Sequence, residues 1–540
     1  MTTTGAATSG HGDHDGHDGH GSHARGGDAA RTGDDGSART GEDDAPRTGD
    51  DGTAYDAVVV GGGVAGLVAA RELALAGLRP LVVEAWHAPG GVVGRHEVDG
   101  LRLDAGAESF ATRGGVVAAL AEELGLGDRV VTPEQHGAWV RLPRGAGPLP
   151  RTGLLGVPAD PWAADVRRTI GVAGALRASL DRLLPARVGT ADGTTLGALV
   201  RARAGRRVLD RLVRPVVAGV HAAEPDDVAA DAVAPGLVAA VRREGSLGRA
   251  VTAQRALAPA GSAVAGFRGG LHVLVDALVA DLEARGGRVR TGVAVRAVAR
   301  TGAGFAVTVA DQGGPDGAAP EVLAAPRLVV ATPRAVDLLA GVAPDLAGLA
   351  TDPGADIVLV TLVLDAPELD AAPRGTGVLV ARGVPGVRAK ALTHATAKWA
   401  WLAEAAGPGR HVVRLSYGRA GDDPAAPEAA LPQDLAGLTA LALRDAAAVL
   451  GVPLRPAQVR AAARVRWRQG LPVPSAAHRR TVQQVRTAVA AVPGLAVVGA
   501  WVSGNGLASV VPDARRTARL LAGTQAAEPG AARPADPRGA

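Results

Sequence analysis

The residues best suited to chemistry form a glycine-rich turn directly after a short apolar strand. The strand Val58–Val60 is followed by Gly61-Gly62-Gly63-Val64-Ala65-Gly66. Gly61 permits a tight turn, Gly63 lets the backbone approach a pyrophosphate, and Gly66 lets the next helix pack closely on the strand. Phosphates are attracted to the N–H groups and the dipole at a helix N-terminus. The pattern predicts a dinucleotide-binding turn, but with 75 glycines in the chain it needs support from the surrounding elements.

The elements around this turn have the order that a dinucleotide site requires. Leu67–Ala76 reads as a helix, and after a turn Leu81–Val83 reads as a second apolar strand that ends in Glu84. A carboxylate about 20 residues beyond the glycines is where this fold places an acceptor for the ribose hydroxyls. Glu84 and the adjacent Ala85 are therefore predicted cofactor contacts. The alternative is that Glu84 is an ordinary exposed acid at a strand end.

A second run of small residues follows, and it resembles a known family. Asp99-Gly100 predicts the turn of a β-hairpin, and the small residues after it would let a flat ring system approach the backbone. The run from Gly90 to Ser109 resembles the second half of the flavin signature in the amine-oxidase-like FAD superfamily. Its sequence DAGAESF, from Asp104 to Phe110, is closest to that of the branch that oxidises porphyrinogens. The resemblance implies FAD contacts at Val92, Gly106, Ala107, Glu108 and Ser109.

The resemblance continues towards the other end of the chain. After a "GGL" helix, Val295 falls in a strand whose backbone touches the adenine in this superfamily. Trp467 matches an "RW…lP…H" run, although Pro474 and Ala477 replace the tyrosine and glycine usual there. Leu495–Trp501 is predicted to be a strand, followed by a turn and a helix whose N-terminus would favour negative charge on the reduced flavin. The contacts implied in this part are Val295, Trp467, Asn505, Gly506 and Leu507.

Composition limits the chemistry. The chain contains no cysteine, which excludes disulfides, thiolate catalysis and cysteine-ligated metals. Redox chemistry must then come from a bound organic cofactor, and no metal site is predicted. The net charge is only +4, so the high pI does not indicate nucleic-acid binding. No apolar segment of a secretory signal is present at the N-terminus, so we expect a cytoplasmic protein.

The predicted fold class is α/β, with a discontinuous Rossmann-type FAD-binding domain, a helical insertion and a sheet-containing substrate domain. In the substrate domain, Ile357–Leu364 and His411–Ser416 are predicted to be strands, and Leu435–Leu450 is predicted to be a helix. Five histidines near the N-terminus suggest either metal binding or a solvated tail. The predicted segments are a disordered tail at 1–54, FAD-binding segments at 55–113, 261–335 and 466–525, the helical insertion at 114–260, the substrate domain at 336–465 and a disordered tail at 526–540.

The helical insertion admits two interpretations. It contains two predicted amphipathic helices, Val116–Leu126 and Leu196–Val213. It either packs simply on the first domain or covers a substrate cavity with a side that faces the membrane. Guanidinium groups pair well with carboxylates, so substrate contacts are predicted at Arg141 and Arg144, with Arg151 as a further candidate.

The resemblance implies an FAD-dependent oxidase of haem biosynthesis that converts a porphyrinogen to the porphyrin with dioxygen as acceptor. The amino-acid composition, in which alanine, valine, leucine and arginine replace aromatic residues and lysine, is typical of GC-rich Gram-positive bacteria. This composition favours coproporphyrinogen III over protoporphyrinogen IX as the substrate. No catalytic base is predicted, because aromatisation drives the reaction and the protein mainly orients the substrate. Peripheral membrane contact and transfer of the product to a chelatase are left open. The alternatives are an amine oxidase, a phytoene-type desaturase, or a porphyrin-binding protein without activity.

Overall fold

The structure of the protein is a computed structural model. It describes residues 54–151, 153–221, 223–256, 264–313, 320–350, 354–419, 431–471 and 475–523. The tail predicted at 1–54, with its histidines, lies outside the described residues except for residue 54. The tail predicted at 526–540 and Pro474 also lie outside them.

The strands fall into several sheets. They are, in chain order, β1 Ala57–Val60, β2 Pro80–Val83, β3 Arg95–Val98, β4 Leu101–Asp104, β5 Phe110–Ala111, β6 Val130–Val131, β7 Trp139–Leu142, β8 Gly145–Pro148, β9 Gly153–Leu154, β10 Val157–Pro158, β11 Val264–Phe267, β12 Arg288–Arg290, β13 Val293–Thr301, β14 Gly304–Asp311, β15 Glu321–Ala325, β16 Leu328–Val330, β17 Ala355–Asp365, β18 Gly377–Val380, β19 Ala391–His394, β20 Arg410–Tyr417, β21 Val459–Leu471 and β22 Leu495–Val497.

The helices range from single turns to four turns or more. They are α1 Val64–Leu75, α2 Val116–Glu123, α3 Ala164–Ser179, α4 Leu196–Arg203, α5 Arg206–Val208, α6 Arg214–His221, α7 Ala230–Val233, α8 Leu237–Glu244, α9 Leu247–Ala256, α10 Val273–Ala284, α11 Ala335–Leu339, α12 Ala395–Lys398, α13 Ala400–Ala406, α14 Leu435–Leu450, α15 Ala476–Ala490, α16 Ala500–Ser503 and α17 Leu507–Ala522. Among the described residues, none of them is both long and apolar enough to cross a membrane.

A five-stranded parallel sheet carries the dinucleotide motif, in the order β12-β2-β1-β16-β22. Its strands come from three separate parts of the chain, in agreement with the predicted discontinuous Rossmann-type domain. One face packs on α1, α10 and α17, and the other packs on α11, α15 and the β13–β15 sheet. A parallel sheet buried on both faces needs continuously apolar strands, and β1 and β2 are buried along their whole length.

The helical insertion has its own core, built from α3 to α9. The continuous helix predicted over Leu196–Val213 is wrong, because α4 ends at Arg203 and a second helical segment begins at Arg206. Gly205, at φ +88°, separates them, and a Cβ there would lie 2.7 Å from Cγ of Arg177. After α5, residues Leu209–Val213 form one turn of π-helix. Close packing against α3 therefore decides the break.

The second large sheet is built from more of the chain than predicted. Its strand order is β21-β17-β20-β19-β18-β7-β8. Thus β7 and β8 come from the segment predicted to be a helical insertion, and β21 runs past the predicted boundary at 466. In the other direction, Val336, Leu339 and Leu346 pack in the core of the dinucleotide domain rather than in the second domain. Strands β17 and β20 and helix α14 agree with their predictions.

Candidate functional site

The glycine turn has the geometry of a phosphate cradle. Gly61 has φ +103°, and a Cβ there would lie 3.2 Å from the carbonyl oxygen of Ala331. A Cβ on Gly66 would collide with the carbonyl oxygen of Gly61, whereas a Cβ on Gly63 would meet nothing within 4 Å. The first turn of α1 begins at Val64, and the N–H groups of a helix's first turn have no partner within the helix. The absence of a side chain at Gly63 therefore leaves space for a phosphate group. At Gly66, it lets α1 pack closely on the backbone of Gly61.

Glu84 is anchored at this turn. Its Oε2 accepts a hydrogen bond from the N–H of Gly62 at 2.7 Å, and its Oε1 accepts one from the N–H of Trp86 at 2.9 Å. The residue is only 8% exposed, so the alternative of an ordinary exposed acid is wrong. Ala85, beside it, is exposed. The structure thus brings a carboxylate and the glycine turn into direct contact.

The second glycine-rich run packs beside the first. The N–H of Gly90 donates to the carbonyl oxygen of Gly62 at 2.8 Å, and the N–H of Ala107 donates to that of Val92 at 2.7 Å. A Cβ on Gly106 would collide with this Val92 oxygen. The small residue at 106 is therefore required by contact within the protein, whereas the sequence suggested approach of a flat ring as its reason. Val92 itself is 42% exposed.

Glu108 lies in a nearly buried ion-pair cluster. Its Oε1 is 2.7 Å from Nζ of Lys398, and its Oε2 is 3.0 Å from Nη2 of Arg414. Nζ of Lys398 also lies 3.4 Å from Oγ of Ser109. Burial opposes ionisation of Glu108, but the charges of Lys398 and Arg414 outweigh it and lower the pKa of this carboxyl. Both oxygens of the Glu108 side chain thus hold this segment in place, and the predicted cofactor contact at Glu108 stays a prediction.

The second sheet holds the same segment through its backbone. Nη1 of Arg414 donates to the carbonyl oxygen of Gly106 at 2.7 Å and to that of Asp104 at 3.2 Å. Nε1 of Trp467 donates to the carbonyl oxygen of Ala105 at 2.9 Å. Strands β20 and β21 thereby tie residues 104–106 of the dinucleotide domain to the second sheet.

The charges and rings near this segment are also defined by the structure. Burial, with the nearby charge of Arg414, lowers the pKa of His96 to about 4, so that this side chain is neutral at pH 7. The carboxylate of Asp104 accepts hydrogen bonds from the N–H groups of Leu271 and His272 at 2.9 and 3.1 Å. The two glycines of the "GGL" run before α10 have φ of +93° and +99°, which favours glycine. The ring of Trp467 lies 6.4 Å from that of Trp86, which is 62% exposed.

The third part of the chain meets the glycine turn through Ala331. A Cβ on Gly499 would lie 3.7 Å from the carbonyl oxygen of Ala331 and 3.4 Å from Nε1 of Trp501. Trp501 belongs to α16, so its prediction as a strand residue is wrong; the left-handed φ of +125° at Gly499 ends the extended chain. Its Nε1 is buried and has no acceptor among the described residues. A polar cofactor group would supply one, so the residues present fit a dinucleotide.

The loop before α17 is open. A Cβ on Gly504 or on Gly506 would meet nothing within 4 Å. Leu507 is the first residue of α17 and is buried against α1, while Asn505 is partly exposed. The helix N-terminus predicted beside the cofactor is therefore present. Val295 lies in β13 and is 8% exposed, beside a β-bulge.

The predicted substrate arginines do not gather at this site. Nη1 of Arg141 donates to the carbonyl oxygens of Leu142 and Gly145 at 2.5 and 2.7 Å, so its guanidinium stabilises the β7–β8 hairpin. Arg144 is exposed at the tip of that hairpin. Strand β7 lies five strands from β21, which corresponds to about 24 Å. Only Nη1 of Arg141 is used within the hairpin, so the substrate contact at Arg141 stays a prediction.

The structure adds Lys398 and Arg414, whose part in the site the sequence did not reveal. One signal was present for each. Lys398 is one of only two lysines, and it lies in "HATAKWAW", a stretch that resembles the Ser/Lys/Trp run of porphyrinogen oxidases. Arg414 interrupts the apolar run Val412, Val413 and Leu415 of β20. Only their distance to Glu108, which is about 300 residues away in sequence, shows what they do.

Comparison with known proteins agrees with this geometry. The family described as "Flavin containing amine oxidoreductase" matches residues 64–524. The chain therefore belongs to that family and is a flavin-dependent oxidoreductase, so the predicted fold class and family are confirmed.

Particular relatives are similar over most of their length. The coproporphyrinogen III oxidase of Mycobacterium tuberculosis (strain ATCC 25618 / H37Rv) is 30% identical over 464 residues, 85% of this chain and 95% of that protein. The coproporphyrinogen III oxidase of Bacillus subtilis (strain 168) is 25% identical and covers 83% of this chain and 94% of that protein. A crystal structure assigned as a protoporphyrinogen oxidase, from Exiguobacterium sp. 255-15, has a TM-score of 0.71 and 26% identity, covering 87% of this chain and 99% of that one.

Proposed function

We propose that this chain oxidises coproporphyrinogen III to the porphyrin in haem biosynthesis, with FAD as cofactor and dioxygen as the electron acceptor, which becomes hydrogen peroxide. The observation that carries the proposal is the similarity to coproporphyrinogen III oxidases along nearly their whole length. The absence of cysteine fits, because the redox chemistry then rests on the flavin.

The residues proposed to hold FAD come from all three parts of the dinucleotide domain. The turn from Gly61 to Gly66 and the start of α1 would bind the pyrophosphate, and Glu84 would accept from the ribose. The backbone at Val295 would contact the adenine, and the residues at 104–109 and 505–507 would line the ring system. When bound, the flavin accepts the hydride equivalents that the substrate loses.

The part that the protein plays is mainly to orient the substrate and exclude water. Loss of hydrogen from a porphyrinogen is driven by aromatisation, so a strong acid–base residue is not required. The ion pairs of Lys398 and Arg414 with Glu108 hold the segment 104–109 in place, and the indole of Trp467 fixes it from the second sheet. The domain boundaries and the substrate contacts at Arg141 and Arg144 stay predictions.

We also propose a cytoplasmic location with peripheral contact at the inner face of the membrane. The product lacks iron, so the reaction that consumes it is metal insertion by a chelatase. Neither the membrane contact nor the later metal insertion is needed for the oxidation itself.

The test begins with the colour of the purified full chain. We expect a yellow protein, or one that gains a flavin spectrum with FAD. It is then incubated in air with coproporphyrinogen III or protoporphyrinogen IX, and porphyrin fluorescence and peroxide are measured. We expect faster oxidation of coproporphyrinogen III than of protoporphyrinogen IX.

The controls separate this proposal from its alternatives. Each porphyrinogen without protein gives the rate of autoxidation, and benzylamine tests for amine oxidation. A colourless protein that FAD cannot reconstitute would end the proposal. A flavoprotein that produces peroxide from benzylamine and leaves both porphyrinogens at the autoxidation rate would identify an amine oxidase instead.

A further inference from the structure

A cavity of about 460 Å³ opens at one end of the second sheet. It lies between the loops before β7 and β20, the turn after β17, and helices α12 and α13. His411, on its wall, pairs with Leu364 of β17, whereas Trp467 pairs with Ile357 of the same strand. These two positions of β17 are about 23 Å apart in an extended strand. The cavity is therefore separate from the place where Trp467 meets residues 104–106, and its size is that of a small-molecule site.

Acids outnumber cations on the wall of this cavity. The acids are Glu134, Asp370 and Glu404, and all three residues are exposed. The guanidinium of Arg410 is also on the wall, but its Nε already lies 3.4 Å from a carboxylate oxygen of Asp365, outside the cavity. Within the described ranges, no ion pair joins Glu134 or Glu404 to a cation. The charge of the wall therefore favours a positively charged ligand.

One of these carboxylates is held in place by a chain of buried side chains. Oδ1 of Asp370 lies 2.9 Å from Nε2 of His411. Nδ1 of His411 lies in turn 3.0 Å from Nε2 of His394 and 3.2 Å from Oγ1 of Thr396. These two histidines and the threonine are buried. Oδ2 of Asp370 has no partner in the described part of the chain, so it is presented to a ligand from a fixed position.

The arrangement of the wall selects the kind of cation. No group of three acidic or histidine side chains among the described residues could hold a metal ion. No phenylalanine, tyrosine or tryptophan of the described residues lines the cavity, so no aromatic ring is there to bind a cation through its face. The rest of the wall is largely apolar and includes Leu369, Ala397, Ala400, Ala403 and Pro408. A flexible chain of methylene groups that carries several ammonium groups fits both parts, because its methylenes pack on the apolar wall while each ammonium reaches a separate carboxylate.

We propose that this cavity is a binding site for an aliphatic polyamine. The ammonium groups pair with Glu134, Asp370 and Glu404, and the methylene groups lie against the apolar wall between them. The nearby cations do not oppose this binding, because Arg410 and Lys398 are each paired with an acid outside the cavity. The inference rests on the cavity alone and does not depend on the proposed reaction, since no part of it involves the flavin.

The test uses the full chain with FAD present and calorimetric titration with spermidine. We expect spermidine to bind and MgCl2 at the same concentration to bind far more weakly, because the wall has no cluster of ligands for a single ion. The variants Glu134→Gln/Glu404→Gln and Asp370→Asn should each bind spermidine about tenfold more weakly or worse. Asparagine at position 370 keeps an acceptor oxygen for Nε2 of His411. All three substituted side chains are exposed, so thermal unfolding should stay that of the unsubstituted protein, and this is measured first.

A matched control removes two exposed carboxylates elsewhere. Glu97→Gln/Glu283→Gln changes β3 and α10 and should bind spermidine like the unsubstituted chain. The proposal is overturned if spermidine does not bind, if MgCl2 binds as tightly as spermidine, or if Glu134→Gln/Glu404→Gln binds as well as its control. It is also overturned if the protein consumes spermidine in air and releases peroxide, since the amine would then be a substrate at the flavin.

Discussion

At the scale of single residues, Glu108 shows how contact changes an interpretation. The sequence placed it among the cofactor contacts by resemblance. In the structure, both of its carboxylate oxygens bind Lys398 and Arg414, at 2.7 and 3.0 Å. The side chain therefore acts on any bound cofactor through the position of the backbone that it holds.

This arrangement predicts a pH dependence of stability. The folded state lowers the pKa of Glu108 below its ordinary value of 4.5, so the carboxylate stabilises the fold above that pH, and this stabilisation is lost as the pH falls through the lowered pKa. Glu108→Gln should lower the free energy of unfolding by about 2–3 kcal/mol at pH 7, because two cations lose their shared anion. In urea unfolding the deficit should shrink below pH 4.5. A deficit that is equal at pH 7 and pH 3.5, or one also seen in Glu404→Gln on the surface of α13, would contradict the assignment.

Two glycines of the turn give a second prediction, because they differ in the space around them. A Cβ on Gly63 meets nothing within 4 Å, and its backbone, at φ −68°, suits alanine. Gly63→Ala should fold with an unfolding free energy within about 0.5 kcal/mol of the original and bind FAD at least about tenfold more weakly, since the methyl group fills the phosphate cradle. Gly66→Ala should destabilise the protein itself, because its Cβ collides with Gly61. Calorimetric titration and urea unfolding measure the two effects; equal FAD affinity in Gly63→Ala would place the pyrophosphate elsewhere.

At the scale of secondary-structure elements, α1 connects parts that are far apart in sequence. It packs on α10 and α17. The guanidinium of Arg71, only 4% exposed, lies 2.8 Å from a carboxylate oxygen of Glu123 and 2.7 Å from one of Asp281. The neighbouring Glu72 pairs with Arg515 and Arg519 of α17 at 3.2 and 2.7 Å. These ion pairs join α1 to α2, α10 and α17.

The prediction at this scale compares a buried with an exposed arginine. Arg71→Met should lower the free energy of unfolding by about 2 kcal/mol, because it removes a buried cation shared by Glu123 and Asp281. Each acid keeps a second arginine, Arg515 and Arg285 respectively, which limits the loss. Arg95→Met is the control, since the Arg95–Asp276 pair is about half exposed on both sides and should contribute only about 0–1 kcal/mol. Urea unfolding of both variants gives the comparison. Equal losses would mean that burial of the Arg71 cluster adds nothing.

At the scale of the whole molecule, the dinucleotide sheet is assembled from strands at both ends of the described chain. β1 pairs with β16, and β16 pairs with β22. A cofactor that contacts the first and last of these segments binds only the folded state. FAD at about 100 times its dissociation constant should therefore stabilise the fold by about 2.7 kcal/mol.

Thermal unfolding with and without FAD measures this stabilisation. Riboflavin is the control, because it has the ring system but no pyrophosphate for the turn at Gly61–Gly66. We expect a large rise in Tm with FAD and a small one with riboflavin. An equal rise with both ligands, or none with FAD, would contradict the proposed cradle.

The sequence alone determined the local elements and the dinucleotide motif, because these depend on neighbours in the chain. The strand, glycine turn, helix and second strand at its start lie where they were predicted, and α14 has the predicted bounds. The tertiary structure decided the features that depend on distant partners. It placed β7 and β21 in the second sheet and separated α4 from α5 at Gly205, beside Arg177. It also directed Nη1 of Arg141 to a carbonyl oxygen of the β7–β8 hairpin. The pairing of Glu108 with Lys398 and Arg414 belongs here as well. No periodicity encodes a contact across 300 residues, and only packing of the two sheets brings those charges together.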